Sequence, residues 1–107
     1  MSGHYPDRIR QLLPYDGRFD AFQLDAQQAD GNPCKVLFAS YAKGTVIEPH
    51  QHDTDNYGVI TRGELILTLD GMTQRFGVGE WYQVPANAEH SARFDTETDE
   101  IEFWFAP

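Results

Sequence analysis

Gly44-Thr45-Val46-Ile47-Glu48-Pro49-His50-Gln51-His52-Asp53-Thr54-Asp55-Asn56-Tyr57-Gly58-Val59-Ile60-Thr61-Arg62-Gly63 is the stretch on which the reading of this chain turns. His50 and His52 are two positions apart, so in an extended chain they point to the same face. Two imidazoles on one face are able to hold one metal ion. A third histidine, His90, follows directly after Pro85-Ala86-Asn87-Ala88-Glu89, so three of the chain's 4 histidines fall in two short segments. The remaining one, His4, has no partner in sequence and reads as an exposed side chain.

Gly44, His50, His52 and Gly63 fit the spacing Gly-x5-His-x-His-x3-Glu-x6-Gly, with Asn56 at the place of the Glu. Gly79, Pro85 and His90 fit Gly-x5-Pro-x-Gly-x2-His-x3-Asn, with Asn87 for the second Gly and Phe94 for the final Asn. In both motifs, in this order, the chain resembles the cupin superfamily from about Phe19 onward. The resemblance implies a double-stranded β-helix, a small jelly-roll barrel. It also implies one divalent transition metal (Fe, Zn, Ni, Mn or Cu) held by His50, His52 and His90. In the family a Glu at the Asn56 position supplies a carboxylate ligand. Asn56 is accordingly a candidate fourth ligand through its amide oxygen, or a hydrogen-bond partner of a ligand.

The flanking sequence agrees with an all-β fold. Turn residues recur every eight to twelve positions, and no long helical pattern occurs. Strands are expected at residues 19–24, 35–42, 45–52, 56–61, 64–69, 72–76, 80–84, 90–94 and 100–105. Asp70-Gly71 is the strongest hairpin signal, and Asp95 to Asp99 reads as an acidic turn. Residues 1–18, broken by Pro6 and Pro14, read as an N-terminal arm with room for one helical turn around Ile9, Leu12 and Leu13. Residues 19–107 read as a single barrel domain.

Composition bounds the partners. With 17 acidic against 8 basic side chains and a net charge of −9, the chain lacks the basic footprint of nucleic-acid or anionic-membrane binding. The single cysteine, Cys34, excludes an internal disulfide and reads as a small core residue. No basic region followed by an apolar stretch marks a leader, and the expected compartment is the cytoplasm.

Around the histidines, Glu48 shares their phase and is a candidate general base. Tyr41, Tyr57, Tyr82, Phe94 and Phe103 are candidates to line a substrate pocket. On the last strand Ile101, Phe103 and Phe105 share one face and Glu102 and Trp104 the other. If the first set fills the barrel, Trp104 lies outside, where it would serve a homodimer interface. Two functional classes fit. One is a metalloenzyme, of oxygenase (dioxygenase) type within the range that the resemblance implies, on a small anionic organic substrate. The other is a non-catalytic module that binds or senses a small molecule.

Overall fold

A computed structural model describes residues 5–15 and 20–106. His4 and Phe19 lie outside the described residues. A short helix, α1 (Asp7–Arg10), precedes ten strands. They are β1 (Leu13–Pro14), β2 (Asp20–Gln27), β3 (Pro33–Tyr41), β4 (Val46–His50), β5 (Asp55–Arg62), β6 (Glu64–Leu69), β7 (Met72–Gly77), β8 (Trp81–Val84), β9 (His90–Arg93) and β10 (Thr98–Phe105). Six strands form one sheet in the order β1-β2-β3-β10-β5-β8, and four form the other in the order β4-β9-β6-β7. All pairings are antiparallel. The all-β jelly roll expected from the sequence is the observed fold.

The sheets face each other across a shared interior. Ala21, Ala39, Tyr41, Ile60, Leu65, Leu67, Val84 and Phe94 make up its apolar core. Strand alternation puts one side chain in two on this inner face. The turns are set by local chemistry. Asp70 (φ 52°) and Gly71 (φ 77°) both take the left-handed conformation that a tight two-residue hairpin requires, which locks β6 onto β7 from Leu69↔Met72. Gly63 (φ 81°) also has no space for a Cβ, because the Glu97 carbonyl and Thr98 lie against it.

Three local expectations change. The strand read as 45–52 ends at His50, so His52 sits in the connection to β5. Thr98 and Asp99, read as part of an acidic turn, are strand residues and almost fully buried. On β10 the two faces are reversed: Glu100, Glu102 and Trp104 line the interior, whereas Phe103 and Phe105 line an open groove on the outer side of the six-stranded sheet. Trp104 is therefore not an outward residue. The register decides this, because Glu100, Glu102 and Trp104 stand opposite Ile60, Gly58 and Asn56 on the inner face of β5. The N-terminal segment packs on its own sheet, the Tyr5 hydroxyl lying 2.9 Å from the Ala39 carbonyl and 2.8 Å from that of Glu100. No helix among the described residues is long and apolar enough to cross a membrane.

Candidate metal centre

Backbone pairing brings the two histidine segments together. β4 runs antiparallel to β9 with His50 opposite His90, after a register shift between Ile47 and His50. Reciprocal bonds between Gly44 and Phe94 (2.8 Å) and between Phe94 and Thr45 (3.0 Å) fix the far end of this ribbon. The Asn87 amide donates to the His52 carbonyl at 2.6 Å, which ties the loop carrying His52 to the loop before His90. Asn87 holds φ 65° there. This is the conformation a glycine would favour and one that asparagine tolerates better than most side chains, so the departure from the motif leaves the loop intact.

Ligand nitrogens of His50, His52 and His90 lie within 4.8 Å of one another. Nδ1 of His50 is 2.8 Å from the Glu48 carbonyl, and Nδ1 of His90 is 3.0 Å from the Ala88 carbonyl. A carbonyl only accepts, so both rings carry their proton on Nδ1 and expose the Nε2 lone pair. Nε2 of His50 lies 3.0 Å from Nε2 of His52. Burial, reinforced by the neighbouring imidazoles, lowers the His52 pKa to about 4. Burial also lowers that of His90, against the opposing effect of its bond to Ala88. Neutral rings with converging lone pairs are the state that ligates, and the three residues are able to hold a metal ion.

These histidines open onto a cavity of about 280 Å³ between the sheets. Asn56 lines it and is buried, with its side-chain oxygen accepting the Thr54 hydroxyl at 2.7 Å. Tyr41, Tyr82 and Phe94 line it as well. Tyr41 and Phe94 stack at 4.2 Å, with 7° between the ring planes. Tyr57 and Phe103 do not join them; they lie in the outer groove with Trp81 and Phe105. Glu48 is exposed and absent from the cavity wall; its backbone carbonyl, not its carboxylate, serves the site by orienting His50. Pro49 and the register shift in β4 break the phase that would have turned Glu48 inward.

The interior holds a group that sequence reasoning missed. Glu100 and Glu102 line the same cavity and are 2% and 7% exposed. Tyr82 donates to Glu100 Oε1, Tyr41 to Glu102 Oε2, and the Trp104 indole N–H to Glu102 Oε1 at 3.1 Å. Trp104 also packs on His52, ring centroids 4.6 Å apart, so one side chain bridges the histidines and the carboxyls. Burial, then the adjacent Glu102, drives the Glu100 pKa well above the carboxylate range. Burial followed by the same carboxyls keeps Tyr41 and Tyr82 protonated as donors. Gly58 makes the arrangement possible: a Cβ there would overlap the Tyr82 ring, which crosses β5 at that point to reach Glu100. The one sequence cue was phase, since Glu100, Glu102 and Trp104 alternate with apolar residues.

Known proteins agree with this architecture. The structure is similar to an RmlC-like cupin from Shewanella frigidimarina (TM-score 0.77, 18% identity, 92% of this chain and 86% of that one). It is also similar to KdgF from Halomonas sp. (TM-score 0.70, 20% identity, 83% and 79%). In sequence, the chain is 34% identical over 68 residues to an H2HPP isomerase of Bacillus subtilis. The match takes in 63% of this chain but only 29% of that protein, so the chain spans less than a third of its relative. The family described as the cupin domain matches residues 37–105, well over half of the sequence. With both histidine motifs seated in a two-sheet barrel, the chain belongs to the cupin domain family.

Proposed function

We propose that this cupin is a metal-dependent enzyme acting on a small anionic molecule that chelates through oxygen. The observation that carries the reading is the convergence of three imidazoles on the wall of a cavity about 280 Å³ in volume. His50, His52 and His90 would hold a divalent transition metal, with Asn56 as a neutral fourth donor or as a partner to one. A metal held this way keeps its full charge of +2 and supplies Lewis acidity toward the oxygens of a carboxylate or carbonyl. The chain's own residues do the rest. The Glu48 and Ala88 carbonyls orient two of the rings, Trp104 braces the third, and the Tyr41–Phe94 stack closes the cavity on the apolar side. Replacing Asn56 by Glu and titrating metal-loaded protein with small carboxylates and diketones tests the charge argument. Weaker anion binding at unchanged metal content is expected; equal or tighter binding refutes it.

For the reaction, the buried carboxyl groups favour proton transfer without net oxidation. The sequence relative named as an isomerase supports the same direction. Oxygenase chemistry is the second reading, supported by a donor set of only three imidazoles, which leaves positions open. Oxygen consumption with bound chelators separates the two, and a protein that binds such ligands without turning them over is a binding or sensing module.

The outer groove supports self-association. Trp81 is 58% exposed and lies beside Tyr57, Phe103 and Phe105. We place the contact of a homodimer there rather than at Trp104. A monomer by light scattering at micromolar concentration refutes it, as does a dimer that survives Trp81→Glu.

A further inference from the structure

We propose that Glu100 and Glu102 form an acid–base pair that moves protons on and off carbon in a small oxo acid bound in the cavity. The proposal rests on the substrate class inferred above, and three observations about the pair carry it.

The first is position. Both side chains line the cavity that the three histidines open onto, and Trp104 joins the two ends by touching His52 and donating to Glu102. A substrate whose oxygens lie at the histidine end extends its carbon chain toward the carboxyls. The second is space. Each carboxyl has a small residue opposite it on one neighbouring strand, Ala39 for Glu100 and Gly58 for Glu102, and a larger one on the other, Ile60 and Leu37, and both carboxyls still line the cavity. The third is wiring. Each carboxyl accepts a tyrosine hydroxyl, and Glu100 is hydrogen-bonded to Glu102. Two adjacent carboxyls so deeply buried do not both ionise, and the pair retains one proton. Packing alone would not call for this arrangement, because apolar residues of similar size fill a β-barrel interior with no desolvation cost.

The retained proton suits the chemistry. The unprotonated carboxyl of the pair accepts the proton of a C–H bond beside the substrate carbonyl. The pair of electrons from that bond passes into the carbonyl π system, giving the enolate form of the substrate. The carboxyl pair then returns one proton to carbon, either at the same atom or at a conjugated one, and its internal hydrogen bond redistributes the proton that remains. One C–H bond breaks and one forms, and no electrons leave the substrate, so neither an oxidant nor a reductant is needed. The outcome is proton exchange or a double-bond shift. Keeping Glu100 protonated also limits the negative charge that an anionic substrate meets.

Metal-loaded wild type, Glu100→Gln and Glu102→Gln should be compared in deuterium oxide with pyruvate, 2-oxobutyrate and phenylpyruvate as probes. NMR reads deuterium uptake at C3, and ligand titration reads binding. For a bound probe the wild type should accelerate uptake. Each variant should lose roughly 100-fold or more of that rate, as expected of general acid–base groups, with metal content and probe affinity unchanged. Binding without exchange, or exchange indifferent to both substitutions, overturns this proposal and leaves the substrate reading standing. Failure of every probe to bind overturns both. Glu100→Gln keeps an acceptor for Tyr82 and a donor for Glu102, so it tests the pair even where Glu102→Gln does not fold. Infrared difference spectra supply a readout that does not depend on turnover. A protonated-carboxyl stretch at neutral pH should be present in the wild type and absent from Glu100→Gln; its absence from the wild type overturns the shared proton.

Discussion

The two ends of the cavity solve the burial of polar groups in opposite ways. At one end, burial lowers the proton affinity of His52 and His90, and the ligating nitrogens of the three imidazoles converge. At the other, burial raises the affinity of Glu100 for its proton, and two tyrosines and an indole satisfy the carboxyl oxygens. Desolvation is the leading cause at both ends; its sign follows from which form of each group carries the charge. One barrel therefore holds Lewis bases at one end and a proton reservoir at the other, joined by Trp104.

The largest effect that would break this division is His90→Ala. It should abolish stoichiometric metal uptake, measured by elemental analysis, because two imidazoles alone leave the ion under-coordinated. The infrared signature of Glu100 should survive. Loss of both signals together would show that the two ends are not separate units.

Gly58→Ala attacks the carboxyl end alone. The added methyl displaces the Tyr82 ring, and overpacking of this kind costs about 1–3 kcal/mol. Chemical denaturation should show that loss with metal content unchanged. Replacing Tyr82 by Ala in the same background should recover part of it, through a favourable coupling energy. Strict additivity of the two substitutions would place the strain elsewhere.

A smaller effect separates the inner tyrosines from the outer one. Tyr41→Phe removes a buried donor to Glu102 and should cost about 1–2 kcal/mol. Tyr57, which accepts from Gln83 at 3.0 Å on the outer side, should change stability by less than about 0.5 kcal/mol when replaced by Phe. Equal costs would mean that the cavity network adds nothing beyond surface hydrogen bonding.

The smallest expected effects are pH slopes of the metal-free protein. His52 has an ordinary value of 6.5 and a folded value of about 4. Between these values the unfolded chain binds more protons, so stability falls as pH drops from about 6.5 toward 4. For Glu100 the sign is reversed: the folded chain holds a proton that the unfolded chain releases above its ordinary value of 4.5, so its contribution falls as pH rises. Thermal melts across this range should show His52→Asn removing the loss of stability on acidification and Glu100→Gln removing the loss as pH rises above about 4.5. A variant that leaves its own limb unchanged refutes the corresponding shift.

The spacing of Gly44, His50, His52, Gly63, Gly79, Pro85 and His90 determined the barrel and the three-histidine cluster, because turns and metal ligands impose local, readable constraints. Period-two alternation and turn residues located nearly every strand for the same reason. Alternation also separates two faces on β10, but it is silent about which of them is the interior. Assigning the apolar face inward assumes an interior made for packing. In this barrel the interior is a cavity lined by polar groups, so Glu100, Glu102 and Trp104 turn in while Phe103 and Phe105 turn out. Tyr82 joins Glu100 only because Gly58, on the neighbouring strand, leaves its path open. Glu48 is turned away by a register shift. Such contacts join residues far apart in sequence through the register of β10 against β3 and β5, and that register exists only once both sheets have formed.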